Sequence, residues 1–103
     1  MSRVNTKKIY INVRDLSFKS EQYVVDLIRY IAEELPQIDI VRNGNEVEIT
    51  APHKMSKKVI RLRIRKFLHR KVLTEEFRPI SFKQDEKDGY TVKEKPAVQL
   101  SYY

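Results

Sequence analysis

Nine basic residues fall between positions 51 and 74: Lys54, Lys57, Lys58, Arg61, Arg63, Arg65, Lys66, Arg70 and Lys71. No aspartate or glutamate interrupts them. The chemistry such a set can do is to neutralise an extended anion. An arginine offers a planar fork that matches paired phosphate oxygens, and a lysine offers a compact point charge. The whole chain carries 21 Lys and Arg against 14 Asp and Glu, a net charge of +7. This one segment holds the entire positive excess, and the rest of the chain is slightly acidic. A charge that served solubility alone would be spread over the surface. A concentrated one fits an anionic polymer, of which RNA and DNA are the commonest. His53 and His69 can extend the patch when protonated.

Other chemistries find little support. With no cysteine, disulfides, thiolate metal sites and thiol nucleophiles are excluded. His53 and His69 stand in no HExxH motif and near no carboxylate triad, so no metal site is expected. The only glycines are Gly44 and Gly89, too few for a phosphate-cradling loop or for the GXXG loop of a KH domain. Asp85, Glu86 and Asp88 cluster where turn residues belong, and no nucleophile elbow or Ser-His-acid pattern is visible. The chain therefore reads as non-enzymatic, with no cofactor and no small-molecule substrate.

The segment 56–71, SKKVIRLRIRKFLHRK, must be a helix to present these cations together. Ser56 suits its N-cap. At 100° per residue, Ile60, Ile64, Phe67 and Leu68 share one arc, the expected core face. Lys58, Arg61 and Arg65 flank that arc on one side, Arg63 and Arg70 on the other. Met55, Val59 and Leu62 form a second, narrower apolar stripe, expected on the far side. No acid lies three or four residues away within the helix to relieve the repulsion.

Around that helix the chain punctuates itself. Residues 7–13, KKIYINV, alternate as a strand, with Ile9, Ile11 and Val13 on one face. Residues 14–19 read as a connection. Ser20 can cap a helix carrying Tyr23, Val24, Leu27, Ile28, Ile31 and Leu35 on its core face, with Asp26, Arg29 and Glu33 opposite. Tyr30 falls toward its edge. Pro36 stops it. Residues 38–42 and 46–50 flank Asn43-Gly44-Asn45, a hairpin signal. Val47 and Ile49 then face the core, with Glu46 and Glu48 toward solvent. Residues 78–83 and 90–94 read as two further strands around a turn at 85–89.

The order is β-α-β-β-α-β-β: an α+β, two-layer sandwich with two helices on one face of a mostly antiparallel sheet. A chain of 103 residues suits one domain, here an RNA-binding domain over 1–103, with extended tails at 1–6 and 95–103. Tyr102 and Tyr103 in the second tail are candidates to stack on bases. The apolar runs are too short to span a membrane and no signal peptide is visible, so a cytoplasmic protein is expected. An RNA-recognition motif, which shares much of this order, reads bases with aromatics on its central strands. The strand EVEIT at 46–50 is acidic and carries no aromatic, so RNA is expected on the helix side.

Pro52, Ser56, Lys57, Lys58, Lys66, Phe67, Leu68, Leu73 and Arg78 follow a hairpin in a pattern that resembles the eukaryotic-type large-subunit ribosomal protein twenty-two family. The likeness in element order extends over about residues 7–94. The glycine-rich loop and acidic tail of that family are missing, which fits a divergent, archaeal-type relative. The resemblance implies a structural constituent of the large ribosomal subunit, with ribosomal RNA and neighbouring large-subunit proteins as partners. It implies RNA contact by Lys57, Lys58, Arg61, Lys66 and Arg70, with Phe67 and Leu68 anchoring the helix. From the charge pattern itself the RNA-binding set is Lys54, Lys57, Lys58, Arg61, Arg63, Arg65, Lys66, His69, Arg70 and Lys71. Two other readings fit the same patch: a free nucleic-acid-binding chromatin or regulatory protein, and an interaction module for an acidic protein, centred on Met55, Val59 and Leu62.

Overall fold

Strand alternation and helical periodicity organise one apolar layer. A computed structural model describes residues 5–96. The elements are β1 (Thr6–Asn12), α1 (Arg14–Lys19), α2 (Glu21–Glu34), β2 (Asp39–Asn43), β3 (Glu46–Pro52), α3 (Lys57–Arg70), β4 (Phe77–Gln84) and β5 (Lys87–Glu94). The fold is α+β, with a five-stranded sheet in the order β2-β3-β1-β5-β4. Every pairing is antiparallel except β1 with β5.

One sheet face is apolar because alternate residues are: Ile9 and Ile11 from β1, Val47, Ile49 and Ala51 from β3, Tyr90 and Val92 from β5. Val24, Leu27 and Ile31 of α2 and Ile60, Ile64, Phe67 and Leu68 of α3 close over them. Removing one such Leu or Ile from water contributes about 2 kcal/mol. Helix α2 packs toward β2, and α3 toward β4 and β5.

The other face carries no helix among the described residues. Tyr10 and Phe82 flank Gly89 there, in register across β1, β5 and β4. Glu48 and Glu46 are paired with Lys8 and with Lys87 (2.9 Å) respectively.

Gly89 was expected in a turn and lies instead inside β5, because the turn is only Asp85-Glu86. A Cβ at 89 would stand 1.8 Å from the Tyr10 carbonyl oxygen. Only glycine lets the two backbones meet this closely. The first hairpin is also shifted by one residue. Asn43 pairs with Glu46, so Gly44 and Asn45 form the turn, and Gly44 alone takes a left-handed φ of 64°. Glycine at the first central position is what a II′ turn needs. Pro79 sits within β4, tolerated because β4 is an edge strand.

Residues 14–19, read as a connection, form α1, which buries Leu16. Asn12 Oδ1 accepts from Arg14 N (3.0 Å), and Ser20 N donates to Leu16 O (3.0 Å). Ser20 does precede α2, but its side chain makes no cap bond. Tyr30 is buried rather than at an edge. Thr6 already belongs to β1, and Lys95 is bonded to the fold through its backbone. Tyr102 and Tyr103 lie outside the described residues.

Gly89→Ala is expected to destabilise the fold by about 3 kcal/mol or more, since the clash is with backbone that cannot yield cheaply. Urea unfolding followed by circular dichroism measures it. A midpoint equal to that of the unaltered chain would mean the β1–β5 approach is looser than described.

Candidate nucleic-acid interface

Pro52 ends β3, and after residues 53–56 helix α3 begins at Lys57. Met55 N donates to Pro52 O (2.9 Å), and Ser56 Oγ accepts from Lys58 N (3.1 Å), which is the expected cap. Its first turn holds Lys57 and Lys58 and no acid. Cations there oppose the helix macrodipole, each by about 0.3–1 kcal/mol. Lys57 and Lys58 are thus not placed for the helix's own stability, whereas His69 and Arg70 in the last turn lie where the dipole favours positive charge.

The other end closes with a Schellman arrangement. Leu73 N donates to Leu68 O (2.7 Å) and Val72 N to His69 O (3.1 Å). Val72 occupies the left-handed position, φ 59°, where glycine is usual, and is 83% exposed. Such exposure leaves it little packing to repay that backbone.

The structure divides the basic residues of the sequence set into two groups. Lys57, Arg63 and Lys71 are bonded inward. Lys57 Nζ donates to Asp88 Oδ1 (2.6 Å) and Ser81 Oγ (2.7 Å) and lies 4.8 Å from the Tyr90 ring centre. Tyr90 returns its hydroxyl to Lys57 O (3.2 Å). Burial pushes the Tyr90 phenol above its ordinary value, so it stays a donor. Arg63 Nη1 bonds Glu34 Oε1 (2.9 Å), and its buried Nε meets no acceptor. Lys71 Nζ reaches Asp26 Oδ2 (3.3 Å). Asp26, expected on the solvent side of α2, therefore faces α3. Arg70 lies over the Tyr30 ring at 5.2 Å.

Lys54, Lys58, Arg61, Arg65 and Lys66 are exposed and form no ion pair among the described residues; His69 is exposed beside them. Lys58, Arg61, Arg65 and His69 follow one another at helical spacing along the outer face. Leu62 stands among them, 45% exposed. Met55 and Val59 do not share that position: both are partly buried against the core. The apolar stripe expected on the far side is reduced to one leucine.

Two depressions border the row. Toward α2 lies a groove of about 620 Å³ bordered by Tyr30 and Glu34 of α2 and by Arg63, Arg65, Lys66, His69 and Arg70 of α3. Toward β4 lies one of about 190 Å³ that brings Arg78 and Lys95 to Arg65. Neither Arg78 nor Lys95 belongs to the RNA-binding set of the charge pattern, and only the tertiary fold carries them to α3.

Among the described residues no helix is long and apolar enough to cross a membrane, and no group of three His, Asp or Glu could hold a metal ion. No protein-family model matches this chain, and no curated protein matches it.

Two outcomes follow for the helix ends and their partners. Val72→Gly should stabilise the protein by about 1 kcal/mol, the left-handed penalty relieved less the added freedom of the unfolded chain. Thermal unfolding reads it as a higher Tm; a lower Tm would show that the valine is held by packing. Asp26 is kept below the usual carboxylate range, first by the Gln22 hydrogen bond and then by Lys71. A depressed carboxylate contributes stability above its unfolded value, near ~3.9, that is lost as pH falls through the folded one. The stability gap between the unaltered chain and Asp26→Asn should be full at neutral pH and close in acid. A gap independent of pH, measured by denaturant titration, would remove the charge from the interaction.

Proposed function

We propose that this chain binds the RNA phosphate backbone through the outer face of α3, as a non-catalytic, structural constituent of a ribonucleoprotein. The observation that carries this reading is the division of the cations. Those that the fold uses are bonded to Asp88, Glu34 and Asp26, whereas Lys58, Arg61, Arg65 and Lys66 stand exposed in one continuous strip with no acid to satisfy them among the described residues. Like charges so arranged repel one another in the free protein and are relieved by a polyanion. Their contacts are charges rather than an aromatic platform, so they select backbone shape and spacing over base identity.

The sequence's resemblance to the large-subunit ribosomal protein twenty-two family makes ribosomal RNA the favoured partner and the large subunit the favoured location. In that setting the protein lowers the repulsion between packed RNA helices and fixes their geometry.

Arg61→Glu with Arg65→Glu should weaken RNA binding by about 100-fold or more at moderate salt and leave the Tm nearly unchanged, because exposed substitutions cost the fold little. Arg63→Gln should do the reverse, lowering the Tm while binding changes little. Fluorescence anisotropy with a labelled ribosomal RNA fragment, beside thermal unfolding, reads both. Equal effects of the two changes on binding would defeat the assignment of faces. For the ribosomal setting, a sucrose gradient of native lysate is expected to show the chain with the large subunit, released by ribonuclease. A peak among free proteins, indifferent to ribonuclease, would overturn it.

A further inference from the structure

The depression between α3 and β4 differs in kind from the groove between α3 and α2. Its charged lining is Arg65 from α3, Arg78 from β4 and Lys95 beyond β5, with no acid. Leu68, Thr74, Phe77 and Pro79 supply the rest of the wall. Arg65 and Arg78 meet no carboxylate among the described residues. Lys95 Nζ donates to the Thr74 carbonyl (2.7 Å), which orients the ammonium without neutralising it. The nearby Glu76 turns its carboxylate to Lys19 (2.9 Å) and presents only its carbonyl, which accepts from Lys95 N (2.7 Å).

Arg78 and Lys93 stand directly opposite in the β4–β5 register on the sheet face away from the helices, so Arg78 borders the depression at the outer edge of β4. Like charges in that relation destabilise a sheet. Arg65, Arg78 and Lys95 thus come from three segments to one depression, and none of them forms an ion pair among the described residues. The larger groove is the poorer candidate, because Glu34 lies in it and is bonded to Arg63.

We infer that the α3–β4 seam is a phosphate subsite, which takes a phosphodiester of the RNA through Arg65, Arg78 and Lys95. It rests on the backbone-binding reading above and adds a path to it. The RNA backbone that follows Lys58, Arg61 and Arg65 along α3 continues over the edge of β4, away from α2. The depression has room for a phosphate group with its waters.

The test compares the unaltered chain, Arg78→Gln and the double variant Arg78→Gln, Lys95→Gln. Binding to a labelled RNA hairpin is titrated over a range of salt. Removing one cation from a phosphate should flatten the slope of log K against log salt by about 0.7–0.9, so the double variant should lose about 1.5 and bind about ten-fold more weakly. Arg78→Gln alone should flatten the slope by nearly one phosphate's worth while its Tm stays level or rises, since it removes one of two facing like charges. That opposition of signs is what a purely structural arginine would not give. A double variant with the slope and affinity of the unaltered chain would overturn the subsite and leave the α3 reading standing. Failure of the unaltered chain to bind the hairpin at low salt would overturn both. Should the double variant unfold, Arg78→Gln alone decides by its slope.

Discussion

The approach of β5 to β1 at Gly89 governs where everything else can sit. These are the only parallel neighbours in the sheet among the described residues, and they join its two antiparallel halves, β2-β3-β1 and β5-β4. A side chain at 89 would drive a carbon into the Tyr10 backbone. Without that close approach β5 and β4 lose their place, and with them the floor under α3. Tyr90, one residue on, is fully buried and bonds the Lys57 carbonyl at the start of α3; Asp88, one residue back, holds the Lys57 ammonium. Three consecutive residues of β5 thus set the sheet and the origin of the basic helix together.

That coupling explains how a helix so cationic remains in place. Its charges oppose each other and, at the first turn, oppose the macrodipole. What offsets them is burial: Ile60, Ile64, Phe67 and Leu68 are each almost wholly removed from water, about 2 kcal/mol apiece. Against this the repulsions among exposed charges are fractions of a kcal/mol in high dielectric. The inward cations add orientation. Arg63 to Glu34 and Lys71 to Asp26 fix α3 against α2, which keeps the outer strip in one rigid line.

Much of this was legible in the sequence where one period sufficed. The core arcs of α2 and α3, the alternation in β1 and β3 and the Ser56 cap follow from local spacing, and the structure carries them. Helix α1 was not legible, because six residues with one buried leucine show no periodicity, and Val13 before it is no capping residue. The turn boundaries at Gly44 and Gly89 slipped because glycine marks a break without saying which strand it belongs to. Met55 and Val59 were placed on the far side by the wheel alone. The wheel cannot see that a neighbour covers the flank. The grouping of Arg78 and Lys95 with Arg65 was not legible for a related reason. Their significance lies in proximity to Arg65, and that depends on β4 taking the sheet edge beside α3.

The surface electrostatics therefore divide by direction rather than by amount. Toward α2, Arg63, Arg70 and Lys71 meet a carboxylate or a ring: Glu34, Tyr30 and Asp26 respectively. Along the outer face of α3 and at the edge of β4, Lys58, Arg61, Arg65 and Arg78 form no ion pair among the described residues. A fold that had only to be soluble would have no reason to segregate its charges in this way, since acids are available on the same molecule. Asp88, Glu34 and Asp26 instead meet the inward cations, where they hold the scaffold. The unbalanced side is left rigid, preorganised and costly in the free protein, the state in which a polyanion gains most by binding, because the protein has little order left to lose.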